Sequence, residues 1–115
     1  MPALADRPCV PCRGGVPPLD AAQIAPLLAE LDGWRVVAAH HLEKEYRLKN
    51  FAQALELVNR IGAIAEEQQH HPDLFLAWGT VRVTIWTHKI NGLTESDFIF
   101  AAKCDRVAAL AFAER

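Results

Sequence analysis

The chain has 115 residues, with 12 basic and 14 acidic side chains and a formal net charge of −2. That length holds one domain with no room for a second, and so balanced a charge argues against binding nucleic acid through a basic surface. Apolar residues make up 51%; 19 of those 59 are alanine, which leaves 40 larger side chains, enough for one compact core and too many for a disordered chain.

Residues 1–19 read as an irregular lead-in closed by Pro17-Pro18, and residues 20–115 as the domain proper. The lead-in has no apolar centre of the kind a signal peptide needs, and no stretch of the chain approaches the ~20 apolar residues of a membrane span. A cytoplasmic protein with no membrane partner is therefore expected. Cys9 and Cys12 form a Cys-x-x-Cys unit, and Cys104 lies far downstream. Such a unit can be half of a zinc site or a redox pair. Here no second Cys-x-x-Cys completes a zinc set, and the Pro/Gly-rich setting differs from the strand-to-helix junction of a thioredoxin-type pair. The expectation is an ordinary reduced terminal segment.

Asp20 with Gln23 predicts the capped start of a first helix, with Ile24, Leu27, Leu28 and Leu31 on its apolar face and a stop at Gly33. Pro26 removes one helical hydrogen bond and predicts a kink or a later start. Residues 34–37 predict a short strand, residues 38–40 a turn, and residues 41–48 a second strand. In the latter Leu42, Tyr46 and Leu48 share one face, with Lys44 out of pattern, while Glu43, Glu45 and Arg47 take the other. Asn50 with Gln53 caps the clearest helix, whose apolar stripe is Phe51, Ala54, Leu55, Val58, Ile61 and Ala65. It must end by His71, because Pro72 disfavours helical geometry in the residue before it. Residues 74–78 predict an edge strand and residues 80–88 the best strand, with Val81, Val83 and Ile85 facing one way and Arg82, Thr84, Trp86 and His88 the other. Asn91-Gly92 is a turn. Thr94-x-x-Asp97 is a capping box opening a last helix that buries Phe98, Ala101, Ala102, Ala108, Ala109 and Phe112. Paired strands separated by a helix predict an α+β domain: an antiparallel sheet with helices on one face. The outward face of Arg82, Thr84 and Trp86 is then uncovered and is expected to line a pocket or an oligomer interface.

Five histidines stand out in so short a chain: the pairs His40-His41 and His70-His71, and His88. The first pair reads as solvated turn chemistry. Glu66 and His70 are four apart, so on one helix face the carboxylate would orient the imidazole. A helix ending before Pro72 places both histidines at its negative end, which favours imidazolium. Imidazole both gives and takes protons near neutrality, and the fold could bring His88 and Asp97 to the pair. Other readings stay open on spacing alone. His-His-Pro can simply end a helix, Asp97 is already explained as a capping residue, and three histidines can hold zinc.

The run Glu66-x-x-x-His70-His71-Pro72, then Trp78, then Thr87-His88, then Gly92-Leu93-Thr94-Glu95-Ser96-Asp97, resembles the signature of the pterin-4a-carbinolamine dehydratases. The likeness extends to Leu31-x-Gly33-Trp34, Asn50-Phe51 and Ala65-Glu66, and so covers most of residues 19–107. Asn91 stands where a glycine is common, and asparagine tolerates left-handed backbone geometry. The resemblance implies a four-stranded antiparallel sheet with three helices on one side, assembled as a homodimer or homotetramer. It implies dehydration of a 4a-hydroxytetrahydropterin to a quinonoid dihydropterin, which recycles the cofactor of an aromatic amino-acid hydroxylase. On that reading His70, His71 and His88 are catalytic, with His70 and His88 as the acid–base pair. Glu66, Pro72, Trp78 and Asp97 bind or orient, no metal takes part, and the pterin is substrate rather than cofactor. Similar domains also serve as non-catalytic binding modules, as a RuBisCO assembly factor or a transcription coactivator; such roles do not need the histidines. A zinc hydrolase using the same histidines is the third expectation.

Overall fold

Two hairpins laid side by side form the sheet in the computed structural model, which describes residues 3–10 and 14–112. Cys12 lies outside the described residues. The strands are β1 (Arg35–Val37), β2 (His41–Arg47), β3 (Asp73–Ala77) and β4 (Thr80–Ile85), in the order β1-β2-β4-β3 and antiparallel throughout. Period-two alternation decides the faces. Leu42, Val81, Val83 and Ile85 are fully buried under the helices, while Glu43, Glu45, Arg82 and Thr84 take the opposite side. Lys44 pairs with Val83 and Tyr46 with Val81, so Lys44 belongs to the inward face after all. Its ammonium is satisfied there by Asp105 Oδ1 and the Asp32 carbonyl, each at 2.7 Å.

Three helices cover the inward face: α1 (Ala21–Leu28), α2 (Phe51–Gln68) and α3 (Glu95–Phe112). The Asp20–Gln23 capping box forms as expected, so α1 begins at once despite Pro26 inside it. The helix ends earlier than expected, at Leu28, and Glu30 and Leu31 continue it only through tighter i→i+3 bonds. On α2 the buried stripe is Ala54, Leu57, Ile61 and Ala65. Phe51 and Leu55, expected on it, lie at its margin and stay 45% and 42% exposed. The start of α3 is enclosed all round, from Ser96 to Ala101, because residues 4–10 pack on the side away from the sheet.

The expected strand 80–88 stops at Ile85. Thr87 makes a single bridge to Gly92, and His88–Ile90 is a 3₁₀ turn, so His88 sits in a closed loop rather than at a strand end. Asn91 takes the left-handed conformation, φ 51°. Gly92 has to be glycine: a Cβ there would come within 2.6 Å of Pro18 Cβ. Among the described residues no helix is long and apolar enough to cross a membrane.

Candidate active site

The end of α2 meets the start of α3 through two side chains. His70 Nε2 lies 2.6 Å from Asp97 Oδ1. Asp97 is fully buried, and its other oxygen accepts the Thr94 N–H at 2.8 Å and the Thr87 hydroxyl at 3.0 Å. Thr87 Oγ1 donates to Asp97, so at its 3.0 Å contact with Thr94 Oγ1 it accepts. The carboxylate is thus an acceptor on every side, and its contact with His70 requires a proton on Nε2. In the neutral ring His70 Nδ1 is then an acceptor, and no hydrogen bond among the described residues occupies it.

The expected Glu66–His70 pairing is not what forms. Helix α2 stops at Gln68, Gln69 turns left-handed at φ 53°, and the His70 N–H bonds back to Ala65 O. That turn rotates the pair off the helical phase on which the i,i+4 spacing relied. Glu66 Oε2 meets His71 Nε2 instead, at 2.6 Å, in a pair whose side chains are 77% and 56% exposed. Asp97 therefore takes the orienting place at His70, beyond the capping role its spacing suggests.

Gln69, His70 and His71 face Trp86 to Lys89 across an open cavity of about 310 Å³, at the lower end of the ~300–1,000 Å³ typical of small-molecule sites. His88 lines it with its ring 4.4 Å from that of Trp86. Pro72 carries the chain from the histidines into β3. Trp78 is not brought to this site. It is 68% exposed in the β3–β4 turn, where Ala77 pairs with Thr80, at the far end of β4. At ~3.3 Å per residue that end lies roughly 20 Å from His88. Trp86 supplies the aromatic wall in its place; its outward alternation just before Thr87-His88 was the signal. Arg82 and Thr84, expected with it, do not line the cavity.

His40 and His41 are not loose turn residues. Both are half-buried; His40 Nε2 contacts Asn91 Oδ1 at 2.8 Å, the two Nδ1 atoms are 3.0 Å apart, and the His40 ring lies 5.1 Å from Trp86. No three His, Cys, Asp or Glu side chains among the described residues converge as a metal site would require.

A family profile described as pterin 4 alpha carbinolamine dehydratase matches residues 17–107. A protein of Rubrobacter xylanophilus, assigned as a pterin-4-alpha-carbinolamine dehydratase, is 55% identical over 107 residues, covering 93% of this chain and all of that protein. A Rickettsia canadensis protein with the same assignment is 54% identical over 106 residues, covering 91% and 97%. The crystal structure of a transcriptional coactivator/pterin dehydratase from Brucella melitensis superposes with a TM-score of 0.75 at 33% identity, over 79% of this chain and 98% of that one. A pterin dehydratase-like RuBisCO assembly factor of the alpha-carboxysome, 24% identical, shares the fold with a TM-score of 0.59. Its profile match and these relatives, which run nearly end to end along it, show that the chain belongs to the pterin-4a-carbinolamine dehydratase family.

Proposed function

We propose that the protein dehydrates a 4a-hydroxytetrahydropterin to the quinonoid dihydropterin, so recycling the cofactor of an aromatic amino-acid hydroxylase. The observation that carries this reading is the buried Asp97 carboxylate on His70 Nε2, with the His70 ring lining a cavity shared with His71 and His88. The reaction breaks the C4a–oxygen bond and makes a C4a–N5 double bond. One proton goes to the departing hydroxyl, one leaves N5, and water is released. Each transfer is a general acid–base step worth ~10²–10⁴-fold. His70, held in one tautomer by Asp97, takes the N5 proton on Nδ1. His88, exposed beside Trp86, supplies the proton to the hydroxyl. Trp86 offers a ring face against which the bicyclic substrate packs, and His71 binds or polarises it.

The test is 4a-carbinolamine dehydration by the purified protein. His70→Ala and His88→Ala should each lower kcat at least tenfold, by about 10²-fold if the step is lost outright, with circular dichroism unchanged. A folded wild-type protein that dehydrates nothing, or full activity in both variants, would overturn the assignment.

A further inference from the structure

Residues 3–10 lie outside the stretch that matches the family profile, yet they are tied down along their length. They run back along α3: Lys103 Nζ donates to the Ala5 carbonyl at 2.9 Å, Arg106 pairs with Asp6 at 2.5 Å, and Arg7 pairs with Glu95 at 2.5 Å. Leu4 is 3% exposed. At the far end of the segment two residues make a bridge. The Cys9 N–H donates to Gln68 Oε1 at 2.9 Å. Ser96 Oγ accepts the Val10 N–H at 2.8 Å and donates to the Val10 carbonyl at 3.0 Å. The Cys9 thiol rests on the Ser96 carbonyl oxygen at 3.6 Å.

The two anchors are not arbitrary positions. Gln68 is the last residue of α2, two before His70, and Ser96 immediately precedes Asp97. Between Gln68 and Asp73 the chain belongs to neither helix nor sheet, so regular structure alone does not fix His70 against α3. A 2.6 Å contact between residues 27 apart in sequence needs its two supports held to within about 0.5 Å. We propose that residues 4–10 are a positioning strap: Cys9 and Val10, through Gln68 and Ser96, clamp the end of α2 to the first turn of α3 and so hold His70 on Asp97. The catalytic consequence rests on the acid–base role proposed for His70; the structural consequence does not.

The experiment uses the full-length chain with Gln68→Ala and Ser96→Ala combined, and two readouts. Ring ¹⁵N shifts of His70 report its tautomer without any substrate, and steady-state dehydration gives kcat and KM. The double variant should show averaged rather than single-tautomer His70 shifts. Its kcat should fall about tenfold, since displacement of a catalytic group by ~1 Å can cost up to 10²-fold, and its KM should stay within about twofold because the cavity lining is untouched. Ser96→Thr, which keeps the hydroxyl, should retain wild-type values in both readouts. So should Arg106→Ala, which removes only the exposed ion pair at the other end of the strap. Unchanged His70 shifts in the double variant would overturn the proposal. Altered shifts in a protein that is inactive even as wild type would keep the strap and remove the dehydratase reading. Should the double variant fail to fold, Ser96→Ala alone is measured in the same two ways: averaged His70 shifts support the strap, and unchanged shifts overturn it.

Discussion

Asp97 is buried with three hydrogen-bond contacts; two of the partners, His70 and Thr87, line the cavity, and of these His70 alone carries a ring that can take up and release a proton there. Replacing it by asparagine keeps the shape and one oxygen, so Thr94 and Thr87 can still be satisfied on that side. The amide then turns its NH₂ toward His70, which has to accept on Nε2 and carry its proton on Nδ1, the nitrogen that should be vacant. Asp97→Asn should therefore lower kcat by about 10²-fold or more, the scale of a lost acid–base step. KM should stay within about threefold and the circular dichroism should not change. Glu66→Ala is the contrast: its pair with His71 is exposed, worth at most about 1 kcal/mol, and kcat should fall less than about fivefold. Near-equal losses in the two variants would return the orienting role to Glu66. The histidines were legible in the sequence because their spacing matches a known signature, but their partners were not. The i,i+4 argument for Glu66 and His70 holds only as far as the helix runs, and nothing in the local sequence said that Gln69 would turn left-handed before Pro72 forced an end.

Lys44 shows the same limit at the level of the element. Alternation put it on the apolar face of β2, where it looked like an error in the pattern. The strand was placed correctly, and the partner was 61 residues away on α3. Asp105 accepts Lys44 Nζ at 2.7 Å and the Tyr46 hydroxyl at 2.5 Å on one oxygen, and Trp34 Nε1 at 3.0 Å on the other. One carboxylate thus joins β2, α3 and the residue before β1. Asp105→Ala would leave the Tyr46 hydroxyl and Trp34 Nε1 unpaired in partly buried positions and Lys44 with only the Asp32 carbonyl, and should destabilise the fold by about 2–3 kcal/mol in urea denaturation. A loss under about 0.5 kcal/mol would mean that water replaces the carboxylate. The turn before β2 is a second element whose existence was legible while its geometry was not. It is closed by the His40 N–H on Val37 O and holds Ala38 and Ala39 both at φ 54°. A left-handed alanine costs roughly 1–2 kcal/mol that glycine avoids, offset in part by the greater unfolded-state freedom of glycine. Ala39→Gly should therefore raise stability by about 0.5–1 kcal/mol in the same assay.

For the molecule as a whole, folding buries acids that only strong base ionises, and one of them, the Cys9 thiol, is buried by the docking of the lead-in. A Pro/Gly-rich composition gave no hint of this docking, since it speaks to local conformation alone. Burial is the main cause that pushes the Cys9 thiol up from 9.0 to about 11; nearby Asp97 adds to the rise and Lys103 opposes it. At neutral pH the thiol therefore stays protonated, unlike the thiolate that metal or redox chemistry uses. Burial also raises Cys104, and it raises Tyr46 together with the adjacent Cys104 and Asp105. In each case the folded state keeps a proton that the unfolded chain would release. The stability tied to these protons is fully present below the unfolded value and is lost as pH rises toward the folded one. For Cys9 that window runs from about pH 9 to about pH 11, with a slope of about 1.4 kcal/mol per pH unit for one group. Urea midpoints should therefore be flat from pH 7 to 8.5 and fall steeply above pH 9. Cys9→Ala should shed about one proton's worth of that slope while leaving the rest to Cys104 and Tyr46. Midpoints that hold steady from pH 9 to 11 would overturn the raised titration of all three groups, whereas a Cys9→Ala slope equal to that of the wild type would show that the strap end opens to solvent before its thiol ionises. The same opening would free Gln68 and Ser96, so in that second case activity should decline over the same range without unfolding.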